Sequence, residues 1–293
     1  MAEQNEEDLV WLRREIICAI AEDEGICKVL VLKGGNALAL VHGFGARTSL
    51  DLDYSLKGYA TVAEADLGQS ILRALTNRLS RTSLRVFDWK FLKRPSRPSP
   101  NRPPGWGGFR GEFKVVGEAL WDSHDGQLEQ LRKVAWGVAP GGGSSRIFKL
   151  DLSGNEWTEG AEIICVEDIG VLVYSLPLMT AEKLRALCQQ MAEYPHVNMA
   201  RPRPRDYFDL HALVTEGSVN LKSSEFMRIL REVFAAKEVE LSLLQRLPAY
   251  REYHREGWAS VVDSIPLGSS RDFDNYANFV EREVQKLEPL GNV

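Results

Sequence analysis

The chain has 293 residues, 44% hydrophobic and 26% charged, with a formal net charge of −5. That length suits one large domain or two smaller ones with a real core, and the acidic balance excludes an overall basic coat while leaving room for a local basic patch. No apolar run approaches the roughly 18 to 20 residues that span a bilayer, and the acidic, amphipathic start lacks the features of a signal peptide. Cys18, Cys27, Cys165 and Cys188 are scattered with no CxxC or Cys/His cluster, so the expectation is a cytoplasmic protein with free buried thiols, no zinc and no membrane partner. Leu9, Leu12, Ile16, Ile17 and Ile20 recur at helical spacing and predict a helix over 7–23. Residues 28–32 are β-rich. The glycines Gly34 and Gly35 then precede good helix formers, so the expected order is strand, tight turn, helix, with Gly43 and Gly45 closing the helix. In 49–56, Leu50, Leu52 and Tyr54 alternate with Asp51 and Asp53, predicting a strand with one apolar and one carboxylate face.

A second amphipathic helix is expected over 62–81 and a strand over 84–92. The stretch Lys93–Gly111, rich in Pro, Arg and Gly, predicts an exposed loop. Strands follow at 112–117, 131–138 and 145–152, the last two joined by a turn at 140–145, with further β segments at 162–166 and 171–176. From Pro177 the pattern is helical: 178–192, 205–215, 223–235, 238–246 and 271–287. The fold class is therefore α+β, read as an α+β domain over 1–176 and a helical domain over 177–293.

The chemistry centres on Asp51 and Asp53. Two carboxylates at i and i+2 on a strand point the same way and supply hard oxygen donors for divalent metal, Mg²⁺ or Mn²⁺. Free backbone N–H groups at a turn entering a helix, as after Gly34-Gly35, suit a triphosphate. Either feature alone is better read structurally, as a solvated strand face or a plain turn; the two in this order carry more weight.

The segment LKGGNALALVHGFGARTSLDLDYSL resembles the first motif of the AbiEii/AbiGii toxin family of nucleotidyltransferases, relatives of the MenT toxins within the DNA polymerase β-type superfamily. The matching positions are Lys33, Gly34, Gly35, Asn36, Arg47, Ser49, Asp51 and Asp53. The stretch LMTAEKLRALCQQ, with Glu182 and Lys183, resembles the family's second motif. RPRDYFDLHAL, with Arg205, Asp206 and Asp209, resembles the third. Asn36 departs from the usual Ser or Thr. The resemblance implies a polymerase β-like mixed sheet with flanking helices and a helical half that completes the active-site cleft. It implies NTP as substrate, Asp51, Asp53, Asp151, Lys183 and Asp206 as catalytic groups, and Asp51, Asp53 and Asp151 as metal ligands. Lys33, Gly34, Gly35, Asn36, Arg47, Ser49, Arg205 and Asp209 would meet the nucleotide. Asp151 is chosen as third carboxylate because its strand context fits the family's, ahead of Glu112 and Asp88.

The resemblance also implies a bacterial toxin of a toxin–antitoxin or phage-defence pair, with a cognate antitoxin as partner and tRNA as acceptor. Lys93, Arg94, Arg97, Arg102 and Arg110, with Trp106 and Phe109, put positive charge and aromatics on one predicted loop; it would hold RNA or simply be a solvated insertion. The rivals are a nucleotidyltransferase for a small molecule or protein, and a non-catalytic binding protein on the same fold. The Lys183, Asp206 and Asp209 set also reads as an ion pair bracing two helices.

Overall fold

The computed structural model describes residues 5–44, 50–58, 63–96, 106–139, 145–196, 200–263 and 268–287. The chain divides into two units, one comprising Met1–Val41, Thr48–Asn155 and Glu162–Val173, the other His42–Arg47, Glu156–Ala161 and Tyr174–Val293.

In the first unit, α1 (Glu6–Glu22) starts at Asn5, whose side chain accepts from the Asp8 N–H while the Asp8 carboxylate accepts from the Asn5 N–H. This capping box satisfies two helix-end donors. Leu9, Leu12, Ile16 and Ile20 form its buried stripe. Strand β1 (Leu30–Lys33) leads into α2 (Gly34–Asn36), which continues as a π-helical turn, Ala37–Val41. Gly43 follows with φ +73, the left-handed geometry that ends helices, while Gly45 lies outside the described residues. Then come β2 (Leu52–Leu56), α3 (Glu64–Ser80), β3 (Leu84–Arg94), β4 (Gly108–Gly117), α4 (Glu118–Ser123), α5 (Leu128–Val134), β5 (Phe148–Ser153), β6 (Ala161–Val166) and β7 (Ile169–Tyr174).

These strands form one mixed sheet in the order β3-β4-β5-β2-β1-β7-β6. Strand β2 is central, antiparallel to β1 and parallel to β5. One sheet face carries Leu52, Tyr54, Leu150, Leu152, Phe109 and Phe113, all buried. Helix α3 packs on β3, and α1 packs on α3. Gly68 lets α3 approach: a Cβ there would fall 2.8 Å from the Phe91 ring. Because side chains alternate, the opposite face carries the polar partners, and the site lies there.

Several expectations fail for identifiable reasons. The segment 131–138 is not a strand. Helix α5 occupies its first half, burying Leu131 against Phe87, Val116 and Ala135. Its KVAWGV run imitates strand alternation, but the preceding Leu128–Leu131 spacing is helical, and helix wins. The turn at 140–145 therefore joins no hairpin, and Pro140–Ser144 lie outside the described residues; β5 pairs instead with β4 and β2. The predicted loop Lys93–Gly111 is shorter than expected. Strand pairing runs to Arg94↔Gly108, so Lys93, Arg94, Phe109 and Arg110 are strand residues. Arg97 and Arg102 lie outside the described residues. Leu50 is 44% exposed, because β2 begins only at Leu52 and the alternation does not reach back to it. The cysteines are free, as expected, but only Cys18 and Cys188 are buried; Cys165 is exposed.

The second unit is helical: α6 (Leu176–Cys188), α7 (Pro204–Thr215), α8 (Ser224–Ala235), a 3₁₀ segment (Leu241–Tyr250), α9 (Arg251–Arg255), α10 (Trp258–Val262) and α11 (Phe273–Gln285). Ser175 and Ser223 cap α6 and α8 through their hydroxyls. Pro177 and Pro204 sit in first turns, where a missing N–H costs nothing. The helix expected over 238–246 is 3₁₀, with Pro248 inside it. Helix α6 packs on α7 and α8, and α11 on α7. Phe226, Phe234, Phe273 and Tyr276 are buried in this core, while Tyr250, Tyr253 and Phe279 are only partly covered. Among the described residues no helix is long and apolar enough to cross a membrane.

Candidate active site

Strand register builds the site. Lys33 of β1 is opposite Asp53 of β2, Asp53 is beside Asp151 of β5, and Asp151 is opposite Arg110 of β4. Four charged residues on four neighbouring strands thus form one row across the polar face. Neighbouring strands lie about 5 Å apart, so each side chain is within reach of the next. Two residues along, Lys149 and Glu112 are paired in the next row of the same face. Asp51, two residues before Asp53, feels the charge of Lys149, Asp151 and Arg110.

Gly34 sets the turn. Its φ is +75, a left-handed conformation that other residues adopt only under strain. A Cβ there would lie 2.8 Å from Asp53 Oδ2. The glycine therefore provides both the bend and the seat for the Asp53 carboxylate. Asn36, two residues on, is 1% exposed, and its Nδ2 donates to the Asp51 carbonyl at 2.8 Å. The side chain expected at the phosphates ties the turn to the carboxylate segment. Lys33 is buried at the end of β1. Arg47 and Ser49 lie outside the described residues.

Asp151 is held by Arg110 in a forked pair, Nε to Oδ1 at 2.6 Å and Nη2 to Oδ2 at 2.9 Å. Hydrogen bonding to Asp151 holds Arg110 above the usual guanidinium range, against the opposing effect of burial. Burial pushes the Asp51 carboxyl up; Lys149 works against that, and Asp151 adds to it. Asp88, a weaker candidate, sits at a bulge of β3 with φ +53, forked by Arg132 at 2.7 and 2.9 Å. Glu112, the other, faces Lys149 in the next row.

A divalent cation would need hard oxygen donors. Asp51 and Asp53 fit that requirement: a carboxyl disfavoured as an anion by burial and by a neighbouring carboxylate gains from a cation, and the space beside Asp53 is kept clear by Gly34. Asp151 fits by position, with both oxygens engaged by Arg110. Among the described residues no group of three Asp, Glu, His or Cys side chains is gathered as a ready metal site.

The second unit contains the other motif residues. Lys183 of α6 donates to Asp209 Oδ2 at 2.5 Å and to Asp206 Oδ1 at 3.1 Å, with all three side chains under 10% exposed. Arg203 also bonds Asp206, and Arg205 lies 4.0 Å from Asp209. Burial disfavours the Lys183 ammonium, but Asp209 and Asp206 outweigh it and hold the group above the usual lysine range. Burial likewise opposes the Asp206 anion, yet Arg203 and Lys183 pull it below the usual carboxylate range. His254, fully buried, accepts the Arg203 N–H at Nδ1, 3.2 Å away, and burial pushes it down to about 4.

Arg110 is the site residue that the sequence reading misplaced, assigning it to a loop. Its alternation with Glu112 in FRGEF was the available signal. Lys149, alternating with Asp151, was missed.

A strand, a Gly-Gly turn into a helix and a central strand with one carboxylate on it and another just before it, on a mixed sheet, are the framework of a nucleotidyltransferase. The fold agrees with a putative nucleotidyltransferase from H. pylori, 17% identical, matching 100% of both chains with a TM-score of 0.54. MenT4, a nucleotidyltransferase toxin from Mycobacterium tuberculosis, is 12% identical over 96% of this chain and 84% of its own, with a TM-score of 0.45. No curated protein sequence matches. The family model for the nucleotidyl transferase AbiEii toxin of Type IV toxin–antitoxin systems covers residues 16–279, and the chain belongs to that family.

Proposed function

We propose that this nucleotidyltransferase toxin moves a nucleotide from an NTP to tRNA, with pyrophosphate leaving, in the cytoplasm of a bacterium that also makes its antitoxin, and that the pair serves phage defence. The observation that carries the reading of the site is the Gly34–Asp53 arrangement: a glycine whose missing side chain seats a carboxylate at the foot of a helix-starting turn.

Asp51 and Asp53 would hold Mg²⁺ or Mn²⁺, with Asp151 as the third ligand. When bound, the ion would lower the pKa of an attacking hydroxyl and offset charge on the phosphates. The chain's own contribution is position. The backbone at Gly34 and Gly35 receives the triphosphate at the start of a helix, and Lys33, Arg47 and Ser49 complete that contact. Asn36 keeps the Asp51 backbone fixed relative to the turn. Lys183 with Asp206 and Asp209 fixes α6 against α7, and Arg205 beside them is a further nucleotide contact in this reading. A direct catalytic role for Lys183 and Asp206 would require their mutual pairing to loosen. The tRNA acceptor is supported by the exposed basic end of β3, with Lys90, Lys93 and Arg94.

The test is incubation of the full chain with each labelled NTP, Mg²⁺ and total RNA. Label in tRNA-sized bands is expected, and it should vanish when Mg²⁺ is chelated. Label on protein or on a small molecule would overturn the acceptor but keep the chemistry. Label on nothing at all, with NTP bound, would leave only a binding protein.

A further inference from the structure

Within the row Lys33, Asp53, Asp151, Arg110, one pairing stands out against the reaction proposed above, on which this inference rests. Asp151 is in place to serve the site, yet both its oxygens are bonded to a single guanidinium. A forked arginine–carboxylate pair satisfies the carboxylate as fully as one cationic partner can. The pair is not walled off: the Arg110 and Asp151 side chains are 30% and 27% exposed. Solvent access makes exchange of one partner for another cheap compared with a dry ion pair. The two residues sit on adjacent antiparallel strands, so a change of χ angles in Arg110 suffices to part them, without moving backbone. Asp51, whose carboxyl is disfavoured as an anion by burial, already feels both members.

We propose that Arg110 is an exchangeable counter-ion: it neutralises Asp151 in the nucleotide-free protein, then releases it and pairs with a phosphate of the incoming NTP. No bond is made or broken covalently in the exchange. One carboxylate trades a guanidinium for a metal cation, and the guanidinium trades a carboxylate for a phosphate, so each charged group stays beside an opposite charge throughout. The fork geometry that fits a carboxylate also fits a phosphate, so Arg110 keeps two hydrogen bonds on either side of the trade. Arg110 thereby links metal occupancy to nucleotide arrival, and the protein would hold metal weakly until substrate is present.

The experiment measures Mn²⁺ affinity of the full chain by electron paramagnetic resonance, alone and with each α,β-methylene NTP. Wild type should bind Mn²⁺ weakly alone and more tightly with analogue. Arg110→Met should tighten Mn²⁺ binding without nucleotide by about tenfold, since Asp151 is freed, and weaken analogue binding by about tenfold, since the phosphate fork is lost. Arg110→Lys should fall between. In an Asp151→Asn background the Arg110→Met gain in Mn²⁺ affinity should vanish, because its source is gone. A bracing pair alone predicts a lower melting temperature in Arg110→Met with Mn²⁺ affinity unchanged; that result, in a protein that folds, overturns the exchange. Wild type binding neither Mn²⁺ nor analogue overturns both the exchange and the nucleotidyltransfer reading. Wild type binding both, with Arg110→Met indistinguishable from it, overturns the exchange alone.

Discussion

The sheet row and the helical triad use the same residue types for opposite ends. Lys33, Asp53, Asp151 and Arg110 lie on a polar sheet face, and the pair at its end remains partly exposed to water. Lys183, Asp206 and Asp209 are almost dry, and the lysine ammonium meets both carboxylates at 2.5 to 3.1 Å. Charges with water nearby can change partners at low cost. Charges out of water cannot, because every separation exposes a bare ion to a poor solvent. Charged residues of one site thus divide into those placed to exchange and those placed to hold.

Removing one member from each group should have the largest effects, and of opposite kinds. Asp53→Ala should lower nucleotide transfer by roughly a thousandfold and abolish growth inhibition, while leaving the melting temperature nearly unchanged. Equal toxicity from both forms would remove the enzyme from the explanation. Lys183→Met should instead act on folding. It takes the shared ammonium from two buried carboxylates, leaving only Arg203 and Arg205 beside them, and should cost about 3 kcal/mol in urea unfolding. If Lys183→Met lowers activity while the unfolding midpoint stays put, the triad belongs with the exchanging group after all.

A smaller effect distinguishes the helical core by pH. His254 is neutral in the fold, held down to about 4 from 6.5 by burial. The unfolded chain takes up a proton on that imidazole first as pH falls. Stability from the neutral ring is therefore complete above about 6.5, falls as pH drops toward 4, and changes no further below it. The loss amounts to about 3 kcal/mol, read as the difference in pH dependence between wild type and His254→Gln. Parallel profiles for the two proteins would mean that the ring titrates alike in the folded and unfolded chain, which burial in the core forbids. Gly34→Ala should cost about 1 to 2 kcal/mol from the left-handed backbone, and its transfer activity should fall further than that because Asp53 is displaced. Asn36→Ala is the mildest, about 1 kcal/mol for the lost bond to Asp51, with the NTP affinity of the full chain as the second readout.

The legible parts of the chain were those where periodicity and composition agree. Helix α1 announced itself through its apolar stripe, and the strand, turn, strand order from β1 to β2 through Gly34 and the Asp51/Asp53 alternation. The alternation placed Asp53 on the polar face correctly, but β2 starts at Leu52, so Asp51 lies just ahead of the strand expected to carry it. What the sequence hid depends on register. Arg110 and Asp151 are 41 residues apart, and nothing local pairs them. The strand extension to Lys93 and Arg94 was masked by the Pro and Gly that follow, since composition signals the tip of a hairpin but not how far its arms reach. Segment 131–138 went astray because five or six residues of alternating character serve a short helix as well as a strand, and packing against Phe87 and Val116 decides. The ion pair of Lys183 with Asp206 and Asp209 was one of two readings their residue types allowed; their burial came from how α6 and α7 pack, which no spacing records.

Gly34 has a consequence for the cell that carries the gene. A toxin is under pressure to be disarmed by chance lesions, and most lesions that disarm an enzyme either remove a reactive group or unfold the chain. At Gly34 a single added methyl group removes no charged residue, yet it intrudes on Asp53 and pushes its carboxylate aside. Such a variant would be a silenced toxin still wearing its native surface, able to occupy an antitoxin without consequence. It would serve equally well as the safe form in which to grow the protein in quantity.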